Sequence, residues 1–228
     1  METMINTFNN NEIYPGAFSG FDLLETILWE NGEYFLLARH MDRLKKTALY
    51  FSFPYDEGLL VKFLESYASS FDPEKKYRVR LLLKKNGSHG LTAAVLDDKP
   101  VSPAKITISS FKTDKNGIFL RHKTTNRELY DKELARGRSK GFYDVIFMNQ
   151  DDEITEGCVS NIVIRTGTDT WTPSLSCGLL DGVYRRYLLE TGEIPLKEKV
   201  LHLDDILSAD SIFMINSVQK SVKVDFAA

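Results

Sequence analysis

The chain has 228 residues, 43% hydrophobic and 27% charged, which is ordinary globular usage and allows one large or two modest domains with a buried core. Its 29 basic and 32 acidic residues give a net charge of -3 and are spread along the sequence, so nucleic acid is not an expected partner. No apolar run reaches the length of a membrane span, the start METMINTFNNNEIYPG has no apolar leader core, and Cys158 and Cys177 are too few for a disulfide framework; a soluble cytoplasmic protein with reduced thiols is expected.

Residues 21–29, FDLLETILW, read as a strand, Asn31-Gly32 tolerate the positive φ of a type I′ turn, and 33–37 resume the pattern. Leu37, Met41, Leu44 and Ala48 recur at helical spacing, as do Leu59, Leu60, Phe63, Leu64 and Tyr67, which predicts two helices. A second hairpin is expected over 77–83 and 91–96 around Asn86-Gly87, then a strand at 105–110. The polar stretch 111–116 predicts a linker between a smaller α+β domain, 1–110, and a β-rich domain, 117–228. In the latter a helix is expected over 126–136, a strand over 144–148, and a QDDE turn leading into EITEG. A hairpin through 161–172 turns at TGTD, a short helix follows Gly182, and a last strand covers 211–218.

Four segments carry candidate chemistry, and each also has an ordinary reading. HKTTNR places Lys123 ahead of a helix, where its amine can project from an element end or simply be solvated. In TEGCVSN, Glu156 follows a strand-like EIT and precedes the bend-permitting Gly157, which could hide a carboxylate or leave it in a wet turn. In CGLLDGVYRRYLLE, Gly182 precedes a helix whose first open amides, those of Val183 and Tyr184, suit a phosphate or merely begin a helix. In RHMDRL, Arg43 shares a helix with the core-facing Met41 and Leu44, so its guanidinium can reach inward to grip an anion or stay in water. His40, His89, His122 and His202 lack HExxH spacing, so no metal site is expected; Cys158 is expected to be a packed small residue, and there is no GxSxG elbow or P-loop.

The order FDLLETILW, RHMDRL, HKTTNR, EITEGCVSN, CGLLDGVYRR, INSV runs through almost the whole chain from Phe21 and resembles the class IV aminotransferase family, the fold-type IV pyridoxal-phosphate enzymes. Lys123 followed by two residues and then Asn-Arg is similar to the aminodeoxychorismate lyases and differs from the branched-chain and D-amino-acid aminotransferases. The resemblance implies a two-domain α+β fold like that of D-amino-acid aminotransferase and pyridoxal 5'-phosphate as cofactor. It makes Lys123 the covalent anchor and catalytic group, Glu156 the partner of the ring nitrogen, and Arg43, the Val183 and Tyr184 amides and Ser217 the phosphate holders. Asn126 and Arg127, beside the lysine, are the implied substrate contacts.

The implied reaction converts aminodeoxychorismate to para-aminobenzoate and pyruvate for folate synthesis, in a homodimer linked in function to an aminodeoxychorismate synthase. A class IV amino-acid aminotransferase and a non-catalytic binding protein of the same fold are the alternatives. Two departures stand out: the extra strand and acidic, glycine-rich segment usual before Leu24 are replaced by an asparagine-rich lead and FSGFD, and Leu24 replaces the aromatic of D-amino-acid aminotransferases. The residue types suit the chemistry. A lysine of ordinary pKa about 10.4 must be lowered by about three units, roughly 4 kcal/mol, to be neutral near pH 7. A carboxylate about 3 Å from a protonated ring nitrogen gains on the order of 5 kcal/mol at an effective dielectric near 20.

Overall fold

A computed structural model describes residues 20–96 and 104–227. Strands β1 (Leu23–Glu30), β2 (Glu33–Tyr34), β3 (Tyr77–Leu83) and β4 (His89–Val95) form an antiparallel sheet in the order β2-β1-β3-β4. Helices α1 (Leu37–Tyr50) and α2 (Glu57–Ala68) lie between β2 and β3 in sequence and pack on β1 and β4. Leu23, Ile27 and Trp29 point to one face of β1 and join Met41, Leu44, Leu60 and Leu64 in a core, while Leu24 and Leu28 are buried on the other face. Burial on both faces explains why FDLLETILW does not alternate with polar residues. Asn31 (φ 53°) and Gly32 (φ 83°) take the positive values expected of the first turn. At the second turn only Gly87 (φ 82°) does so.

Strands β5 (Ala104–Thr113), β6 (Asp144–Asn149), β7 (Ile154–Gly157), β8 (Asn161–Thr166), β9 (Asp169–Pro173), β10 (Leu196–Lys199), β11 (Ser211–Asn216) and β12 (Lys220–Phe226) form a mixed sheet, ordered β10-β9-β8-β11-β12-β5-β6-β7. Helix α3 (Glu128–Ser139) packs on β6, α4 (Val183–Thr191) packs on β11, and α5 (Leu203–Leu207) precedes β11. Ile106, Ile146, Ile162, Ile164 and Met214 form the centre of this second core.

Three expectations need correction. The strand expected at 105–110 runs on to Thr113, with Lys112 and Thr113 opposite Met148 and Asn149, and belongs to the second sheet. The expected boundary at residue 110 therefore cuts a strand, and the expected linker at 111–116 begins inside it; the change of sheet falls between β4 and β5. Pairing with β6 and β12 is non-local, so the polarity of SFKTDKN did not reveal it. Third, the last predicted strand stops at Asn216 and the chain returns as β12, through a turn in which Lys220 has φ 57°. Strand β10 and helix α5 were also not expected.

One short connection ties the two sheets together. Thr124 bridges Leu23 at the start of β1, the Leu24 amide donates to the Lys123 carbonyl (3.1 Å), and the Thr125 amide donates to Asp22 (2.8 Å). The Asp22 amide in turn donates to Thr125 Oγ1 (2.9 Å).

Candidate active site

These bonds fix the backbone of Lys123 between the first sheet and α3, so the side chain leaves an ordered segment rather than a solvated helix face. Lys123 is partly buried. Loss of water, with further repulsion from Arg43 and Arg127, pushes its ammonium down to about 7, although Glu25 and Glu156 act in the opposite direction. A large fraction of the amine is neutral near pH 7, which nucleophilic chemistry on a carbonyl requires.

Glu156 lies on β7 and is 6% exposed. Its Oε1 accepts the Tyr130 hydroxyl at 3.2 Å and its Oε2 accepts the Asn161 amide at 3.4 Å. Burial raises its carboxyl to about 8 against the opposing pull of the Leu180 amide, Tyr130, Lys123 and Arg127. The turn behind it is held by Asp144, whose Oδ1 accepts the amides of Val145 and Cys158 at 2.8 and 2.9 Å. Gly157 is required there, because a Cβ would stand 2.6 Å from Asp144 Oδ2.

Arg43 is the third member. Its Nε and Nη2 donate to Glu25 Oε1 and Oε2 at 2.8 and 2.7 Å, and Nη1 donates to the Asp181 carbonyl at 3.3 Å, one residue before Gly182. His40 Nδ1 lies 2.7 Å from Glu25 Oε2, and His40 Nε2 is buried without a hydrogen-bond partner among the described residues. Burial alone would raise the Glu25 carboxyl; the charges and hydrogen bonds of Arg43 and His40 outweigh it and hold the group at about 2. Helix α1 is held on α4 by the Arg39–Glu190 pair and by Arg186, which meets Asp42 at 3.1 Å and the Arg39 carbonyl at 3.3 Å. That docking brings Arg43 to the start of α4.

Helix α4 begins at Val183 with Gly182 as its cap and no side chain on its first amides. Those of Val183 and Tyr184 therefore have no partner within the helix and carry the positive end of its dipole. Gly182 permits a close approach to Asn161, whose Oδ1 would be 2.0 Å from an added Cβ. Asn161 also donates to the Leu180 carbonyl at 3.0 Å, so one side chain joins Glu156 to the loop that leads into α4. Buried Arg185 pins that loop through Asp181 (3.1 Å), the Pro173 carbonyl (2.9 Å) and Glu198.

A single neighbourhood thus contains Lys123, Glu156, Arg43 and Arg127, with Arg43 touching the entrance to α4. The model for "Amino-transferase class IV" matches residues 22–225. The chain belongs to the class IV aminotransferases. It is 30% identical over 211 residues to a protein of Schizosaccharomyces pombe named "Putative aminodeoxychorismate lyase", an alignment that covers 89% of this chain and 88% of that one. It is 26% identical over 246 residues to the aminodeoxychorismate lyase of Bacillus subtilis, covering 95% and 79% respectively. Among solved structures, a "Putative amino-acid aminotransferase" from Mesorhizobium loti superposes with a TM-score of 0.84 at 27% identity, covering 91% of this chain and 100% of that one.

Class IV aminotransferases are pyridoxal-phosphate-dependent enzymes, and the residues present here fit that cofactor. They offer an amine near neutrality, a buried carboxyl without a cationic hydrogen-bond partner among the described residues, and an arginine beside helix amides that carry no side-chain cap. Ser217, expected at the phosphate, is buried just after β11, the strand on which α4 packs. Asn126, an expected substrate contact, is exposed. Arg127, the other, already donates to the Cys158 carbonyl at 2.7 Å and to Asp131 at 2.8 Å, so much of its guanidinium holds the Glu156 turn against α3. Cys158 packs with Val145 and Phe147, and burial pushes its thiol well up.

Glu25, His40, Tyr130 and Asn161 were not singled out from the sequence. For Glu25 a signal existed: it is the one acidic residue in the phase of Leu23, Ile27 and Trp29. His40 and Arg43, three residues apart on α1, then supply its partners.

Proposed function

We propose that this class IV enzyme is a pyridoxal-phosphate-dependent lyase that converts aminodeoxychorismate into para-aminobenzoate and pyruvate, a step of folate synthesis. The observation that most supports cofactor use is the meeting of Lys123 and Glu156 in one buried site beside Arg43. The names of the two relatives and the Asn126-Arg127 pair after Lys123 favour this substrate.

When bound, pyridoxal phosphate supplies an electron sink. Lys123 Nζ would hold the cofactor through its aldehyde carbon, and as a free amine would take the proton from the substrate ring carbon that bears the amine. The same Nζ returns a proton to the departing enolpyruvyl fragment, so the balance closes on pyruvate and an aromatic amine, with aromatisation as the driving force. Glu156 keeps the ring nitrogen protonated, a contribution on the order of 5 kcal/mol. Arg43, the amides of Val183 and Tyr184, and Ser217 hold the phosphate. Asn126 contacts the substrate, while Arg127 mainly orders the wall of the site. We also infer a cytoplasmic homodimer, served by a synthase that makes its substrate; sizing in solution tests the assembly.

Incubation with pyridoxal phosphate and enzymatically generated aminodeoxychorismate, without a keto acid, is expected to yield para-aminobenzoate fluorescence and stoichiometric pyruvate. Likeness to the Mesorhizobium loti protein supports a second reading, amino-acid transamination. Silence with aminodeoxychorismate, together with acceptor-dependent amine transfer from common amino acids, decides for it.

A further inference from the structure

Tyr130 carries a partly buried hydroxyl that the reaction above does not use. It stands in the first turn of α3, seven residues after Lys123, and donates to Glu156 Oε1 at 3.2 Å. Its ring packs against Phe147, centroids 4.7 Å apart, and the Arg127 guanidinium lies 5.8 Å from its centroid. The hydroxyl is therefore aimed by packing rather than by chance rotation. The other side-chain donor to Glu156, Asn161, is longer at 3.4 Å and is shared with the Leu180 carbonyl.

Resting on the reading of Glu156 as partner of the ring nitrogen, we propose that Tyr130 is a positioning residue: its hydroxyl holds Glu156 as an oriented carboxylate and so keeps the proton on the cofactor's ring nitrogen. A donor to the ionised form makes a carboxylate a weaker base. Without that donor, Glu156 competes more strongly for the proton it should leave on the ring, and the electron sink weakens. The groups that act on Glu156 are Lys123 and Arg127 from the segment before α3, Tyr130 from α3, Asn161 from β8 and the Leu180 amide before α4. Asp144 on β6 is occupied by the amides of Val145, Cys158 and Val159. Tyr130 remains a donor throughout, because burial and then Glu156 raise its own ionisation well above the usual phenol range.

Tyr130→Phe removes one oxygen and keeps the ring packing. In the unloaded protein, carbon-13 NMR of side-chain-labelled glutamate is expected to show the Glu156 midpoint moving up by about one pH unit. In the loaded enzyme, the pH dependence of the cofactor's absorbance shifts, and kcat falls about tenfold with KM little changed. Tyr130→Leu, which also removes the ring, separates packing from hydrogen bonding. If Tyr130→Phe leaves the Glu156 midpoint and the absorbance profile unmoved while Tyr130→Leu alone disturbs them, Tyr130 is only a packing residue and the proposal is overturned. Failure of the wild-type protein to take up pyridoxal phosphate at all defeats the functional reading and this proposal together. A loaded protein with an unmoved midpoint defeats this proposal alone.

Discussion

Two buried carboxylates act on Lys123, and the protein keeps them in opposite states. Glu25 is clasped by the Arg43 guanidinium and by His40, and stays ionised down to about 2. Among the described residues Glu156 has only neutral hydrogen-bond donors, with the cations Lys123 and Arg127 acting on it without a hydrogen bond, and its carboxyl rises to about 8. The residue type and the degree of burial are alike; the difference is whether a cation sits within hydrogen-bond reach. Glu25 has its partner built in, so it serves as part of the frame for Arg43. Glu156 is left short of a cation, which is the condition of a group that awaits a cationic ligand such as a protonated ring nitrogen.

The largest effect is expected at the lysine that both carboxylates share. Lys123→Met should lower turnover by at least about 10³-fold, since covalent attachment and proton transfer are lost together, measured by single-turnover product formation. The next prediction separates the carboxylates by stability. Glu25→Ala leaves Arg43 buried beside no counter-charge and should cost about 3–5 kcal/mol in denaturant unfolding of the unloaded protein. At pH 5, where its carboxyl is protonated in the fold, Glu156→Gln should stay within about 1 kcal/mol of wild type in the same assay, yet lose on the order of 10²-fold in turnover. Equal stability losses at the two positions would break the comparison.

The pH response gives a sharper version. Glu25 ionises at about 2 in the fold against an ordinary value of 4.5, so the unfolded chain binds more protons between those values; its stabilisation is present above pH 4.5 and lost as pH falls towards 2. Glu156 ionises at about 8 against 4.5, so there the folded chain binds more protons; its contribution is present below pH 4.5 and lost as pH rises through 8. Lys123, at about 7 against 10.5, makes stability recover from pH 7 upward. Between pH 5 and 7, unloaded wild-type protein should therefore lose stability relative to Glu156→Gln, and thermal unfolding of the two across that window checks the sign.

The smallest expected effect lies where the two ends of the site meet. Gly182→Ala drives a methyl group into Asn161 and should cost about 1–3 kcal/mol, with weaker binding of pyridoxal phosphate but not of pyridoxal. Parallel titrations with the two ligands measure that difference.

Much of this arrangement was legible before the fold was known, and the pattern of what was missed is physical. Lys123, Glu156 and Gly182 stand at the ends of elements, next to a turn or helix start that the local sequence marks, and the first hairpin turn follows from Asn31-Gly32 alone. Glu25 owes its role to His40 and Arg43, 15 and 18 residues away, and Tyr130 and Asn161 owe theirs to Glu156, 26 and 5 residues away, across separate elements or across a tight turn, and no local period encodes such pairs. The same holds for β5, whose sheet is decided by β6 and β12, the latter more than a hundred residues on. Arg127 is the instructive intermediate: its place beside the lysine was readable, but its commitment to Asp131 and the Cys158 carbonyl was not.

The most direct test of the account is borohydride reduction of the protein after incubation with pyridoxal phosphate, followed by mass mapping of the peptides. One pyridoxyl group per chain is expected, carried by Lys123 and absent from Lys123→Met. Stable labelling of a different lysine in the wild-type protein, or no labelling at saturating cofactor, would contradict it.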